Sequence, residues 1–317
     1  MSKDLEILIK EKISSLKIIE VISKIAEQEK IEVYAVGGYV RDIVLNRERN
    51  DLDILVIGSG TEFAKKVADV LSIKNVSYYK NFGTAHFNFE GMNIEFVGAR
   101  KESYDRNTRK PIVENGSFTD DISRRDFTIN TLAISLSKNN FGKLIDTYSG
   151  LDDLQNQLIK TPLDPVKTFD DDPLRLMRAF RFASQLSFNI DEGIMTAANQ
   201  MRERLSIVSQ ERITDEFLKI LASPKPSVGL QLLFDSAVLE IVFPEIFIMA
   251  GVDQRKEYHH KDVFLHTLQV VDNISKETEN VWLRFAALVH DIAKPPTKKF
   301  VEGIGWTFHG HEDLGAR

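Results

Sequence analysis

Residues 36–57 read VGGYVRDIVLNRERNDLDILVI, and this stretch restricts the fold more than any other part of the chain. An apolar run ends in Gly37-Gly38, a helix follows over 39–44, and a second apolar run carries Asp51 and Asp53. The expectation is a strand, a tight turn, a short helix and a second strand. Glycines let backbone come close to phosphate oxygens, and the amides of a helix start face an anion. Arg41, three residues past Gly38, offers a fork of donors to the same phosphates. Residues two apart in a strand project to one face, so Asp51 and Asp53 stand side by side. Adjacent carboxylates repel, and a divalent cation relieves that repulsion. Magnesium suits the place because it takes oxygen ligands and shares its shell with phosphates.

The chain has 317 residues, enough for two or three domains with cores of their own. It is 43% apolar and 28% charged, the composition of an ordinary globular protein. It contains no cysteine, which excludes disulfides, a thiolate zinc site and a cysteine nucleophile, and fits a cytoplasmic location. Lys3, Asp4, Glu6, Lys10 and Glu11 interrupt the first apolar runs, so no signal peptide is expected. The most apolar later stretch, 238–252, is broken by Glu240, Pro244 and Glu245 and is too short to span a bilayer. A net charge of −6 argues mildly against a nucleic-acid partner. The basic residues nevertheless cluster at Arg106/Arg109/Lys110, Arg124/Arg125, Arg175/Arg178/Arg181 and Arg202/Arg204, and such tracks can bind RNA on an acidic chain.

Apolar positions from Leu5 to Ile25 repeat at helical spacing and predict one amphipathic N-terminal helix. Thr61 is placed to cap a helix over 61–71. Residues 84–89 and 92–97 alternate around Glu90-Gly91, a hairpin signature that puts Glu95 on its second strand. Residues 100–114 are polar, with Pro111 the rigid point. In 119–136 Ser123 is placed to cap a helix whose first turns carry Arg124, Arg125, Asp126 and Asn130, with Asp126 and Asn130 on one face. Residues 145–154 form a turn that closes the first domain.

Residues 169–186 (FDDDPLRLMRAFRFASQL) predict a helix started by Asp172 and Pro173, with Arg175, Arg178 and Arg181 in a basic stripe. Ser209 opens the next helix, and the middle third reads as all-α. In the last third His266 lies on an apolar helix, His290-Asp291 follows, and then His309 and His311. A lone histidine on an apolar helix is more often packed or hydrogen-bonded than ligating.

The order strand, Gly-Gly, x-x-Arg-Asp, apolar helix, Asp-x-Asp resembles the start of the nucleotidyltransferase superfamily, in the branch that holds bacterial tRNA CCA-adding enzymes and poly(A) polymerases. RRDFTIN resembles that family's second motif, and Asp-Pro-x-Arg-x-x-Arg-x-x-Arg-Phe its base-selecting helix, with Asp171 where the family usually has glutamate. The resemblance implies an α+β chain: a nucleotidyltransferase head with a small mixed sheet over 1–150, an all-α neck and body over 151–255, and a partial helical HD domain over 256–317. It implies that Asp51 and Asp53 hold two Mg²⁺ ions, with Glu95 completing the site. Gly37, Gly38, Arg41, Arg124, Arg125, Arg178 and Arg181 would position the triphosphate. Asp126 and Asn130 would meet the sugar or serve structure. Asp172 and Arg175 would select the base, since an acceptor-only carboxylate beside a donor-only guanidinium complements the edge of cytosine or adenine.

The histidines resemble the HD phosphohydrolase superfamily, giving His266, His290, Asp291 and His311 as a candidate second divalent-metal site. That family adds an aspartate on a later helix, and the chain ends at Arg317 before one appears. The implied reaction is template-independent CCA addition to a tRNA 3′ end from CTP and ATP, with no membrane partner; the oligomeric state stays open. The alternatives are a poly(A) polymerase, a relative adding only CC or only A, an HD phosphohydrolase with a nucleotide-sensing head, and a non-catalytic RNA-binding protein. Polyadenylating members usually carry Gly-Arg-Arg-Phe near the hairpin, where this chain has Asn81-Phe82-Gly83-Thr84, which favours CCA addition.

Overall fold

Alternating apolar residues in the first third assemble a seven-stranded sheet with two dissimilar faces. A computed structural model describes residues 3–79, 83–103, 112–252 and 262–317. Asn81, Phe82, Arg106, Arg109, Lys110 and Pro111 lie outside the described residues. The chain divides into two units, Met1–Asp164 and Pro165–Arg317.

In unit 1 the sheet contains β1 (Val33–Val36), β2 (Asp51–Val56), β3 (Ser77–Tyr79), β4 (Thr84–Phe89), β5 (Met92–Gly98), β8 (Ala133–Ser135) and β9 (Leu144–Ile145). Strands β6 (Arg100–Ser103) and β7 (Ile112–Asn115) pair separately. The sheet order is β3-β4-β5-β2-β1-β8-β9. All neighbours run antiparallel except β2 and β5, which are parallel. The parallel pair needs a crossover, and helix α4 (Gly60–Val70) lies within it. The expected hairpin is present, with Glu90 at φ 50° and Gly91 at φ 82°, the left-handed pair that a two-residue hairpin turn demands.

One sheet face packs Tyr34, Val36, Leu55 and Ala133 against Ile122 of α5 (Phe118–Ser123). The other buries Ile54, Ile94 and Phe96, with Phe63 of α4 resting on Phe96 at 6.0 Å between ring centroids. Helix α4 starts against the end of β5: a Cβ on Gly60 would lie 2.5 Å from the Gly98 nitrogen, and one on Gly98 would lie 2.6 Å from the Gly58 carbonyl oxygen. Only glycine at both places permits that approach.

Several local expectations are corrected. The N-terminal segment is two helices, α1 (Lys3–Ser14) and α2 (Lys17–Glu29), not one. Ser15 donates its hydroxyl to the Lys12 carbonyl at 2.8 Å, and Leu16 is extended, so the helix restarts there. Ser59, not Thr61, caps α4, accepting from the Glu62 amide. Ser123 is the last residue of α5 rather than the cap of a later helix. Ser117 caps α5 with Asp120 in a reciprocal capping box. Asp126 therefore sits in a turn and Asn130 in a short 3₁₀ segment, Thr128–Asn130. Residues 145–154 include a helix, α6 (Gly150–Gln155), whose first amides donate to Asp146.

Unit 2 is helical: α7 (Pro165–Asp171), α8 (Leu174–Leu186), α9 (Glu192–Met201), α10 (Gln210–Leu221), α11 (Pro226–Asp235), α12 (Val238–Val242), α13 (Pro244–Phe247), α14 (Val263–Glu277), α15 (Val281–Val289), α16 (Lys294–Thr297) and α17 (His311–Gly315). The all-α reading of the middle third is interrupted by a two-residue strand, Asn189–Ile190. Helix α8 opens directly after Asp172-Pro173, the start that this pair predicts, while residues 169–171 belong to the preceding α7; Pro173, with no amide hydrogen to give, separates the two. Ser209 stands at the N-cap of α10 but its side chain makes no capping bond. Buried Arg284 ties α15 to its surroundings through the carbonyls of Leu221, Ser223, Ser275 and Thr278, at 2.8–3.0 Å.

Candidate active site

The acid row is set by strand register. Asp53 pairs with Val36 on one side and with Glu95 on the other, and Glu95 pairs with His86 of β4. Asp51 pairs with Asn93, whose side-chain amide donates to Asp51 Oδ1 at 3.2 Å. Asn88 in turn donates to Asn93 Oδ1 at 3.2 Å. Asp51, Asp53 and Glu95 thus converge on one face, as strand alternation requires. Loss of hydration lifts the Asp53 carboxyl above its ordinary range, Arg125 and Arg49 work against the rise, and Asp51 adds to it. Glu95 is also lifted, first by lost hydration and then by Asp53, although it stays open to solvent on one side.

Gly37 stands over this row with φ +71°, and a Cβ there would lie 2.9 Å from Arg125 Nη1 and 3.4 Å from Asp53 Oδ2. A Cβ on Gly38 would lie 2.7 Å from Arg49 Nη1. Two guanidiniums therefore flank the double glycine. Arg125 is anchored by Nη2 to Oδ2 of fully buried Asp121 at 3.1 Å, and Arg124 holds the other oxygen of Asp121. The helix that follows, α3 (Gly38–Val44), is only seven residues long. An anion here is therefore held by side chains more than by a helix dipole.

Arg41 departs from its expected place at the phosphates. It is 5% exposed and points inward, with Nε and Nη2 donating to Asp42 and Nη1 donating to Asn130 Oδ1 at 2.9 Å. Asn130 donates to Asp126 Oδ1 at 2.9 Å, so those two do meet, through a turn rather than along a helix face. The network continues outward from Asp42 Oδ2 to Arg49 Nη1 at 3.1 Å and from Arg49 Nη2 to Asp51 Oδ2 at 3.5 Å. The second motif is thereby joined to the first acid. Arg49, Asp42, Asp121, Asn93 and His86 were not singled out in the sequence. Arg49 carried a usable signal, being two residues from Asp51.

In unit 2, Asp172 Oδ1 accepts from the Leu174 amide at 3.2 Å and Arg175 Nη1 donates to the Thr168 carbonyl. The arginine stripe of α8 is not a solvated face. Arg175 is buried, Arg178 lies over the Phe182 ring at 5.5 Å, and Arg181 is buried in an ion pair with Glu216 of α10 at 3.1 Å. Arg204 likewise pairs with Asp170 at 3.2 Å.

The four histidine-motif residues come together from three places. His266 on α14 and His290 at the end of α15 have ring centroids 5.7 Å apart, and with Asp291 they offer ligand atoms within 4.8 Å of one another. His311 Nε2 is 3.6 Å from Asp291 Oδ1. His290 Nδ1 and His311 Nδ1 are directed at the carbonyls of Ala287 and Phe308, at 2.7 and 2.8 Å, which leaves each Nε2 facing Asp291. Burial works against ionisation of Asp291, but hydrogen bonds from His290 and Lys294 hold its carboxyl down at about 2. Its hydrogen bond to Asp291 raises His290. His309 is exposed and takes no part.

The head has the layout of proteins that carry a nucleotidyltransferase fold: paired strand acids below a double-glycine turn. The family described as poly A polymerase head domain matches residues 33–160. The probable RNA and SrmB-binding site of polymerase A matches 187–249, and the HD domain 263–317. A multifunctional CCA protein of Mannheimia succiniciproducens is 32% identical over 90% of this chain and 67% of its own length. An A-adding tRNA nucleotidyltransferase of Aquifex aeolicus is 43% identical over 51% of this chain and 19% of its own. A solved tRNA nucleotidyltransferase complexed with a primer tRNA and an incoming ATP analog superposes with a TM-score of 0.67 at 32% identity, covering 84% of this chain and 75% of that one. The chain belongs to the family of tRNA nucleotidyltransferases and poly A polymerases. It spans only 19%, 27% and 52% of the length of three of its relatives. Among the described residues no helix is long and apolar enough to cross a membrane.

Proposed function

We propose that this chain transfers nucleotides from CTP and ATP to the 3′ end of tRNA without a template, completing CCA, in the cytoplasm. The observation that carries the reading is the row Asp51, Asp53 and Glu95 beneath Gly37-Gly38, with Arg49 and Arg125 on either side. The donor set fits hard divalent cations: three carboxyls on one face, with Asp53 lifted by lost hydration and further by Asp51, and Glu95 lifted by lost hydration and further by Asp53. Asp51, Asp53 and Glu95 would hold Mg²⁺, which when bound as two ions lowers the pKa of the attacking hydroxyl and neutralises charge on the departing pyrophosphate. Arg125, fixed by Asp121, orients the triphosphate against Gly37. Arg41, Asp126 and Asn130 act one layer back, as positioning residues that hold Asp42 and the turn of the second motif. Asp172 and Arg175 read the base edge through one acceptor and one fork of donors. The RNA 3′-hydroxyl attacks the α-phosphorus, the bond to the β-phosphate breaks, and pyrophosphate leaves.

A relative that adds only the terminal A is the second reading, because the Aquifex protein that matches at 43% identity is an A-adding enzyme. His266, His290, Asp291 and His311 form a candidate second metal site for phosphate-ester chemistry.

The test is incorporation of labelled CTP and ATP, with Mg²⁺, into tRNA transcripts ending at the discriminator base, at C and at CC. Addition of C, C and A, lost in Asp53→Ala, establishes CCA addition. Labelling of only the CC transcript by ATP moves the assignment to A addition. Long A tracts on any RNA would make it a poly(A) polymerase.

A further inference from the structure

Arg49 has an unequal grip on the two acids it touches. Nη1 meets Asp42 at 3.1 Å, where the carboxylate is 10% exposed and also held by Arg41. Nη2 reaches Asp51 at only 3.5 Å, where the carboxylate is 53% exposed. Its Nε is buried and donates to nothing. The guanidinium lies directly against Gly38, where a Cβ would be 2.7 Å from Nη1 and 2.9 Å from the central carbon. One side of the fork is therefore fixed, the other is loose, and a third donor is unused beside the glycine where phosphate oxygens would approach. The Asp51 contact is too long and too open to matter much for stability.

We propose that Arg49 and a divalent cation compete for Asp51, and that the displaced arm of Arg49, still held by Asp42, then grips a phosphate oxygen of the nucleotide at Gly38. This rests on the nucleotidyl-transfer reading. Arg49 would make metal entry without nucleotide unfavourable and metal entry with nucleotide favourable, because the triphosphate gives the guanidinium a new anion at the moment it gives up Asp51. Loading of ion and nucleotide becomes coupled through one side chain.

The test measures Mn²⁺ binding to the full chain by the electron-spin signal of free Mn²⁺, with and without a non-hydrolysable ATP analogue, alongside KM for ATP. The share of Mn²⁺ binding lost in Asp53→Ala defines the head site and separates it from the histidine cluster. In Arg49→Ala the head site should bind Mn²⁺ alone about threefold to tenfold more tightly, as expected when a competing like charge is removed. KM for ATP should rise by about tenfold or more, with the analogue no longer strengthening Mn²⁺ binding. Arg49→Lys, which keeps charge but not the fork, should fall between. If Arg49→Ala does not fold, Gly38→Ala gives the same readout, because its methyl displaces the guanidinium at an ordinary φ. Unchanged or weaker Mn²⁺ binding in both variants overturns the competition. Mn²⁺ binding indifferent to Asp53→Ala would overturn the nucleotidyl-transfer site itself, a separate failure.

Discussion

Asp53 and Glu95 are direct register partners across the parallel strands β2 and β5, and each carboxyl is lifted mainly by lost hydration, against the pull of Arg125 and Arg49 on Asp53. A pair of this kind works against the fold that contains it. The folded state holds each proton more tightly than the unfolded state does, so ionising the pair costs stability. That cost is absent well below the unfolded pKa values and is complete above the folded ones.

Asp53→Asn should therefore abolish nucleotide transfer and raise the melting temperature of the metal-free protein by a few degrees. The gain should grow as pH climbs through the carboxylate range and vanish at acid pH. Glu95→Gln should do the same more weakly, since Glu95 keeps solvent on one side. Melts from pH 3.5 to 7.5 with chelator present check this; a lower melting temperature in Asp53→Asn would contradict it.

The buried Arg41–Asp42–Asn130 cluster behaves oppositely. Arg41→Ala leaves a carboxylate partly uncompensated and should cost about 3 kcal/mol. Asn130→Ala removes two charge-assisted hydrogen bonds, from Arg41 and to Asp126, and should cost about 2–3 kcal/mol. Because they share a bond, the double variant should lose less than the sum. Urea unfolding of the three proteins provides the measurement.

Arg181 and Glu216 make a buried ion pair between α8 and α10. Arg181→Met alone should destabilise by about 3 kcal/mol, while adding Glu216→Leu should return most of the loss. A raised KM for nucleotide with unchanged stability in Arg181→Met would instead give this arginine the phosphate role expected from its place in the motif.

At the histidine cluster, Asp291 is held down at about 2 while His290 is raised. The Asp291 contribution is present above the ordinary carboxylate range and is lost as pH falls towards 2. The His290 contribution is present below the histidine's unfolded pKa and is lost as pH rises through its raised value. The melting-temperature difference between wild type and Asp291→Asn should thus be larger at pH 5.5 than at pH 8.5. A difference that does not vary over that interval would show that His290 does not titrate within it.

How much of this could be read from the chain depends on distance along it. Gly37-Gly38, the Asp51/Asp53 face and the Glu90-Gly91 hairpin are local, and alternation with turn chemistry is enough to place them. Arg41 and Arg49 are harder, because which of two nearby arginines turns inward is decided by the packing of α3 on residues 128–130, nearly ninety positions later. Asp126 and Asn130 were paired by helical spacing and do touch, but in a turn, because α5 ends at Ser123. The signal for that ending was present: Ser117, boxed with Asp120, stands six residues ahead of Ser123, as Ser59, which caps through the Glu62 amide, stands two ahead of Thr61. Burial of Arg175 and Arg181 in α8 depends on α7 and α10, which periodicity alone does not bring near.

The close seating of Gly60 on Gly98 also limits how this protein can change in length. Adding or removing one residue between Glu95 and Gly98 would shift Glu95 to the opposite face of β5, turning the third carboxyl into the apolar layer occupied by Phe63. The same edit on the far side of the hairpin would leave the acid where it is and alter only the outer strands. The face that Glu95 presents is therefore counted from the Gly98 end of β5, so the length of the Glu95–Gly98 segment, and not that of the chain before the Glu90-Gly91 turn, holds the third carboxyl in the row.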